Sequence, residues 1–515
     1  MAGTVRITFW RAVAGLVIVA GLWATVLRFG QGLGASTNLS DSVPWGLWIG
    51  FDVLVGVGLA AGGFTITAAV HLFDLKRYRP IVRPTILTAF FGYLLVIVGL
   101  LFDLGQPQRV WHPLIMWNSH SAMFEIAWCV TLYTTVLFLE FSPMLLEKLR
   151  WQRALRAVRT ITIPVVILGV LLSTLHQSSL GTLFVIVPNK LHGLWYSPFL
   201  PVFFFLSAIA AGLAMIIIES SLSARAFGRR LELPILSEVA RIIPVVLALY
   251  LVVKVQDMMH RDAFPLLLNG DPEGYLFLVE MVFGGVVPMI LLFVPAVRRD
   301  ASCLVSAALL VVLGFVLGRL NVSITGMQRA LGGDYFPAWS ELAVTGMLIC
   351  FGFIGFSMAV RYLKVFPEVE SEPAQVPMRP SPLAQWLTRG SVGGLAIVLL
   401  YGLLVFQQGE AAAQTPVSIA PVVSRSSTPE LILPDLVVYE APDMGPVEFS
   451  HDTHVEVAEP SCQICHDGNL PLVPDILAPA PRIRGEDRLH EMCGRCHNGE
   501  HAFAVEDGCE DCHLE

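Results

Sequence analysis

Charge is scarce in this chain. Asp, Glu, Lys and Arg together make up 14% of the 515 residues, whereas 55% are hydrophobic. With a mean hydropathy of +0.67, this excludes an ordinary soluble globular protein and makes the bilayer the main solvent. A basic surplus is missing too: the net charge is −8, so there is no cationic surface for nucleic acid, and no nucleic-acid partner is expected. Cysteine is sparse in the apolar part, where Cys129, Cys303 and Cys350 are scattered and read as buried small hydrophobes. Motifs for molybdenum, nickel or flavin are absent, so the chain reads as one subunit of a larger enzyme. No small-residue cleavage site follows the first apolar run, which reads as a retained signal anchor.

Taking about 20 apolar residues as one crossing, candidate spans fall near 10–29, 45–72, 84–104, 120–142, 160–180, 198–220, 237–259, 275–296, 301–319, 340–362 and 388–406. Short loops rich in Lys and Arg stay in the cytoplasm. Lys76, Arg77, Arg79 and Arg83, then Arg150, Arg153, Arg156 and Arg159, then Arg229 and Arg230 all fall in loops on the side of the N-terminus. The N-terminus is therefore expected in the cytoplasm of a bacterial inner membrane. An eleventh crossing, "GSVGGLAIVLLYGLLVF", would deliver the C-terminal tail to the periplasmic face. The expected division is a transmembrane body at 1–365, a Pro-rich cytoplasmic linker at 366–387, the eleventh helix at 388–406, an exoplasmic linker at 407–445 and a tail domain at 446–515.

The tail repeats one motif, Cys-x-x-Cys-His, at Cys462, Cys465 and His466, at Cys493, Cys496 and His497, and at Cys509, Cys512 and His513. That spacing suits covalent c-type haem attachment. Two thiols a turn apart add to the two vinyl groups of one porphyrin, and the adjacent imidazole ligates the iron axially. Three covalently bound haem c groups are expected. Zinc is the plain alternative for paired cysteines, but it requires no His after every pair, and thiols on an oxidising face form disulfides. His451, His454, His490 and His501 remain available as sixth ligands. So short a segment builds no adequate core by itself, so the porphyrins would supply the apolar interior.

The stretches "VEFSHDTHVEVAEPSCQICH" and "CGRCHNGEHAFAVEDGCEDCH" resemble triheme cytochromes of the class III, c-seven type across residues 446–515. The resemblance implies that His451 serves the first haem and His454 the last. That family often places a His four residues before the middle pair. Here His490 stands three before Cys493, which leaves His490, His501 and Met492 open for the middle iron.

In the body, "PWGLWIGFDVLVGVGLAAGGF" at 44–64 and "GYLLVIVGLLFDLGQPQRVWHPLIMWNSHSAMFEIAWCVTLYTTVLFLEFSP" at 92–143 are similar to the NrfD/HybB family of quinone-interacting membrane subunits. The Asp-Leu-Gly-x-Pro turn at 103–107 belongs to that likeness. The resemblance implies a body without b haem that exchanges electrons with quinone, menaquinone above all, together with a periplasmic ferredoxin-like iron-sulfur subunit and further complex subunits or cytochromes.

The residues carry an independent signal, because ionisable groups inside a bilayer are costly and mark functional or paired sites. With the orientation above, Asp52, Asp103, Glu125, His176, Lys254 and Asp257 fall in outer halves of their helices, and His112 and His260 sit in or beside outer loops. Quinol oxidation releases two protons with its two electrons, and carboxylate or imidazole bases at that level can take them. Asp52, Asp103, His112 and Glu125 are the candidate catalytic residues. Each charge also has a plainer reading: Asp103 as the cap of its helix, Glu125 as a partner of Arg109, and Lys254 as a partner of Asp257. His112, His120, His176, His192 and His260 share one side, so b haem between facing imidazoles is the weaker alternative. The glycines of "VGVGLAAGGF" read as close helix packing.

The expected fold is thus an all-α polytopic membrane protein with about ten helices in an NrfD-like body, one tethering helix and a small haem-dominated domain. Its expected role is that of the quinone-reactive subunit of a respiratory oxidoreductase. The rival is a membrane anchor for a cytochrome, with no quinone chemistry of its own.

Overall fold

A segment in hydrocarbon must satisfy its own backbone hydrogen bonds, so long apolar runs become helices. In a computed structural model, ten helices are long and apolar enough to cross a membrane: α1 Phe9–Gln31, α2 Trp48–His71, α3 Lys76–Asp103, α4 Ala122–Leu149, α5 Thr162–Val185, α6 Leu200–Ala226, α7 Leu233–His260, α8 Pro272–Phe293, α9 Ala301–Gln328 and α10 Trp339–Tyr362. The structure describes residues 9–366 apart from 41–42, 119 and 332–334, together with residue 382 and two strands at 436–439 and 447–450. The expected eleventh helix at 388–406 and every Cys and His of the haem motifs lie outside the described residues.

These helices match the ten spans expected between residues 10 and 362, but several run longer. Helix α3 begins at Lys76 and α4 continues to Leu149, through charged residues that a hydropathy window leaves out. Long basic side chains at helix ends reach polar surroundings while their stems stay apolar. Contacts divide the body into two four-helix bundles, α2–α5 and α6–α9, with α6 also lying against α2 and α5. Helices α1 and α10 pack on one another, and α10 rests on α3.

Small residues set these approaches. A Cβ added at Gly212 of α6 would lie 2.3 Å from the Gly62 nitrogen of α2, and one at Gly314 of α9 would lie 2.0 Å from the Gly284 Cα of α8. The glycines of α2 are thus packing residues. Three stretches, Trp48–Val55, Glu280–Val286 and Asn321–Thr325, are wound as π-helix, a widening often found at functional sites. Cys129 and Cys303 are buried as expected, and Cys350 is half-buried.

Residues 416–515 form a separate unit. Within it, β1 Leu436–Tyr439 pairs antiparallel with β2 Val447–Ser450, with Leu436 opposite Ser450 and Tyr439 opposite Val447. Strand β1 falls in the stretch expected to be linker. Its Leu-Val-Val-Tyr run carries the β-branched and aromatic residues that favour a strand.

Candidate functional site

Because successive helices cross in opposite directions, the C-termini of α1, α3, α5, α7 and α9 share one end of the body with the N-termini of α2, α4, α6, α8 and α10. Most of the buried charge lies toward that end. Asp52 sits in the π-helical stretch of α2, buried, and the Thr345 hydroxyl of α10 donates to its Oδ2 at 2.7 Å. Gly99 of α3 makes room for it: a Cβ there would lie 2.9 Å from the Asp52 Cβ.

One turn beyond Gly99, Asp103 ends α3. Its Oδ1 is buried and has no hydrogen-bond partner among the described residues. Arg28, Glu341 and Asp52 are the charged groups acting on it. Arg28 is 3% exposed, and its guanidinium donates to the carbonyls on either side of Asp103, from Nε to Phe102 at 2.7 Å and from Nη2 to Leu104 at 2.6 Å. These carbonyls belong to a helix end, where intrahelical donors run out.

Glu341, in the first turn of α10, is fully buried and accepts from the backbone N–H groups of Asn38 at 3.2 Å and Ala338 at 3.1 Å and from the Tyr335 hydroxyl. Tyr335 in turn accepts the Leu47 N–H at 2.8 Å. Burial pushes the Tyr335 phenol up from its ordinary range, and the adjacent Glu341 carboxylate pushes it further. The phenol therefore stays a donor. Asp52, Asp103, Glu341 and Arg28 thus form one cluster, in which Oδ1 of Asp103 is a fully buried acceptor without a hydrogen-bond partner among the described residues.

The other two candidate catalytic residues are placed apart from this cluster. Glu125 lies in the first turn of α4, exposed, and takes a hydrogen bond from Ser179 rather than from Arg109. His112 starts a short helix at His112–Ile115 and packs edge-on against Trp111, with ring centroids 4.4 Å apart. No hydrogen bond or ion pair joins it to Asp103 among the described residues. His176 is fully buried in α5 and shares a hydrogen bond of 3.0 Å with the Tyr93 hydroxyl through Nδ1, while Nε2 is open.

The second bundle holds a buried charge group of its own, largely passed over by the sequence reading. Asp257 pairs with Arg261 at 2.8 Å and accepts from Ser197 at 2.8 Å, so its partner is not Lys254. The Lys254 ammonium instead lies 4.5 Å from the Phe203 ring centre and 5.5 Å from that of Phe277. Glu280 accepts from the Trp195 indole at 3.1 Å and from Asn321 at 2.9 Å. Arg319 donates to the Phe204 carbonyl at 3.0 Å and to Ser207 at 3.1 Å. Lys254, Glu280, Arg319 and Tyr250 line a cavity of about 50 Å³, room for a few waters and not for a quinone ring. Glu280 and Arg319 are charges within apolar spans, the same signal that singled out Asp103. Among the described residues no group of three or more His, Cys, Asp or Glu is arranged to hold a metal ion.

Comparison with known proteins divides the chain in the same way. Residues 35–330 match the family described as polysulphide reductase, NrfD, and residues 447–514 match that of cytochrome c7 and related cytochrome c. A protein of Nitratidesulfovibrio vulgaris (strain Hildenborough) is 42% identical over 365 residues, covering 68% of this chain and 94% of its own. The "Probable Ni/Fe-hydrogenase 2 b-type cytochrome subunit" of Escherichia coli K12 is 33% identical, covering 69% and 92%. The "Menaquinone reductase, integral membrane subunit" of N. vulgaris is 28% identical, covering 70% and 93%.

Proposed function

The chain belongs to the NrfD family and carries a cytochrome c7 domain behind its membrane body, and from that premise we propose that it is the quinone-reactive membrane subunit of a respiratory redox complex. It exchanges electrons between the quinone pool, menaquinone in particular, and redox partners on the periplasmic face, a ferredoxin-like iron-sulfur subunit among them. The similarity to a menaquinone reductase membrane subunit supports the substrate. The basic loops at the opposite end of the body support an exoplasmic position for the Asp103 cluster.

One observation carries the reading: Asp103 offers a buried carboxylate oxygen with no hydrogen-bond partner among the described residues, beside the carboxylates of Asp52 and Glu341. A quinol hydroxyl docked there loses its proton to Asp103 as its electrons leave. Asp52, held by Thr345, is the second carboxylate at the same level and takes the other proton. Two protons and two electrons leave per quinol, and reduction runs the same steps backward. Glu341 stays tied by its three donors, so the cluster keeps its shape as the aspartates change charge. His112 and Glu125, at the same end, serve as further bases toward the surface.

The three Cys-x-x-Cys-His sets supply two thiols and an imidazole each, the donors that a haem c requires. Cys462, Cys465 and His466, then Cys493, Cys496 and His497, then Cys509, Cys512 and His513 would hold three such groups, with His451, His454, His490 and His501 as sixth ligands. Haem c, when bound, supplies one-electron carriers.

The test is quinol-dependent reduction of the c-type absorbance in the purified complex. Asp103→Asn is expected to slow it about 100-fold or more, the usual contribution of a positioned base. Rates unchanged in both Asp103→Asn and Glu125→Gln would leave the body an anchor for the cytochrome.

A further inference from the structure

The residues matched to the NrfD family comprise the two four-helix bundles and leave out α1 and α10, yet the Asp103 cluster is not complete within those bundles. Its cation comes from α1, and its third carboxylate and the hydroxyl on Asp52 come from α10. The placement of Arg28 follows from how α1 meets α10. Helix α1 buries Gly21, Ala24 and Arg28, a stripe on one face. A Cβ added at Gly21 would lie 2.4 Å from the Met347 Cβ, so the helices touch there. Two turns further along the same face, the small residues give way to Arg28.

The titratable and charged groups facing Asp103 are Arg28 from α1, Asp52 from α2, Glu341 from α10 and Tyr335 from the loop before it. Arg28 is the cation among them. Its two donors grip the carbonyls of Phe102 and Leu104, the residues on either side of Asp103. A planar guanidinium can hold two acceptors while presenting charge to a third group, which a lysine ammonium does less well.

We propose that Arg28 is the positioning residue of the proton-accepting carboxylate: it clamps the peptide groups flanking Asp103, so aiming the unpartnered Oδ1, and it supplies the cation that faces that carboxylate. The inference rests on the reading of Asp103 given above.

The full-length chain in its complex is compared with Arg28→Gln and Arg28→Lys by two independent readouts. The first is infrared titration of the Asp103 carboxylic C=O band, identified by its loss in Asp103→Asn. The second is quinol oxidation, followed by quinol absorbance. Removing a neighbouring cation makes a carboxylate harder to ionise, so the infrared midpoint in Arg28→Gln is expected to rise by about one pH unit or more. In Arg28→Lys it is expected to stay near that of the parent protein. Turnover falls about 10- to 100-fold in both, since neither restores the two-point grip.

An unchanged midpoint in Arg28→Gln, or full turnover in Arg28→Lys, overturns the inference. Should Arg28→Gln not accumulate, Arg28→Lys decides alone: a lysine midpoint far from that of the parent also overturns it. The infrared midpoint does not depend on quinol. A parent protein that fails to oxidise quinol refutes the function of the body, and the midpoint still decides the role of Arg28.

Discussion

Replacing Gly99 by alanine puts a methyl group where α2 and α3 come closest to the acid cluster. The new carbon would lie 2.9 Å from the Asp52 Cβ, and ordinary contact begins at 3.4 Å, so one helix must give by about 0.5 Å. Neither atom sits on a rotatable branch, so the backbone must move, at a cost of about 1–3 kcal/mol. Gly92 on the same helix is the control, because a Cβ there meets the Ala60 Cβ at 3.5 Å, an ordinary contact. Both substitutions gain the same helix preference of about 0.5–1 kcal/mol, so the difference between them isolates the clash. Gly99→Ala is expected to be less stable than Gly92→Ala by about 1–3 kcal/mol when the purified protein is unfolded from mixed micelles by added SDS. It should also oxidise quinol more slowly, because the displacement falls on a carboxylate held at 2.7 Å by Thr345. Equal unfolding midpoints for the two variants would refute the reasoning.

Three further outcomes follow from the same geometry. Tyr335→Phe removes the hydroxyl shared by Glu341 and the Leu47 N–H and is expected to cost about 1–3 kcal/mol in SDS unfolding. The folded phenol titrates above the unfolded one, so the stability it contributes is complete below about pH 10 and is lost as pH rises beyond it; a parent and Tyr335→Phe that lose stability equally between pH 9 and 11, roughly the range of a free phenol, would contradict this. Glu280→Leu strands the Trp195 and Asn321 donors, removes the carboxylate acting on Arg319 and leaves Asp257 as the carboxylate acting on Lys254; a loss of about 3–5 kcal/mol is expected, and a variant as stable as the parent would show the buried charge of Glu280 to be incidental. Cys493→Ser together with Cys496→Ser is expected to lower covalent haem by one group per chain in a pyridine haemochromogen assay, and an unchanged count would remove the middle repeat from the haem assignment.

The ten crossings could be read from the sequence because the bilayer leaves an apolar segment little alternative to helix. Helix ends were less readable: Lys76 to Arg83 and Glu147 with Lys148 interrupt hydropathy without interrupting the helix. Asp52 and Asp103 stood out by the cost of charge in hydrocarbon. Arg28 and Glu341 carry the same signal but lie in the last and first turns of their helices, where charge is commonplace. What each group pairs with was not readable. Thr345 meets Asp52 across 293 residues of sequence, and the three-residue spacing that suggested Lys254 with Asp257 lost to Arg261, whose planar fork takes Oδ2 through both Nε and Nη2. The π-helical stretches gave no warning either, since a change of winding leaves no mark in a run that is apolar on all sides.

Those stretches have a consequence for lineage. Each π turn behaves as a helix with one residue too many, and Asp52, Glu280 and Asn321 all lie within one. Excising a single residue there would let the turn relax to ordinary winding while the helix on either side keeps its faces, so that only the few residues of the turn change the direction in which they point. A descendant chain could therefore switch such a polar group off by one codon deletion, without replacing the residue that bears it.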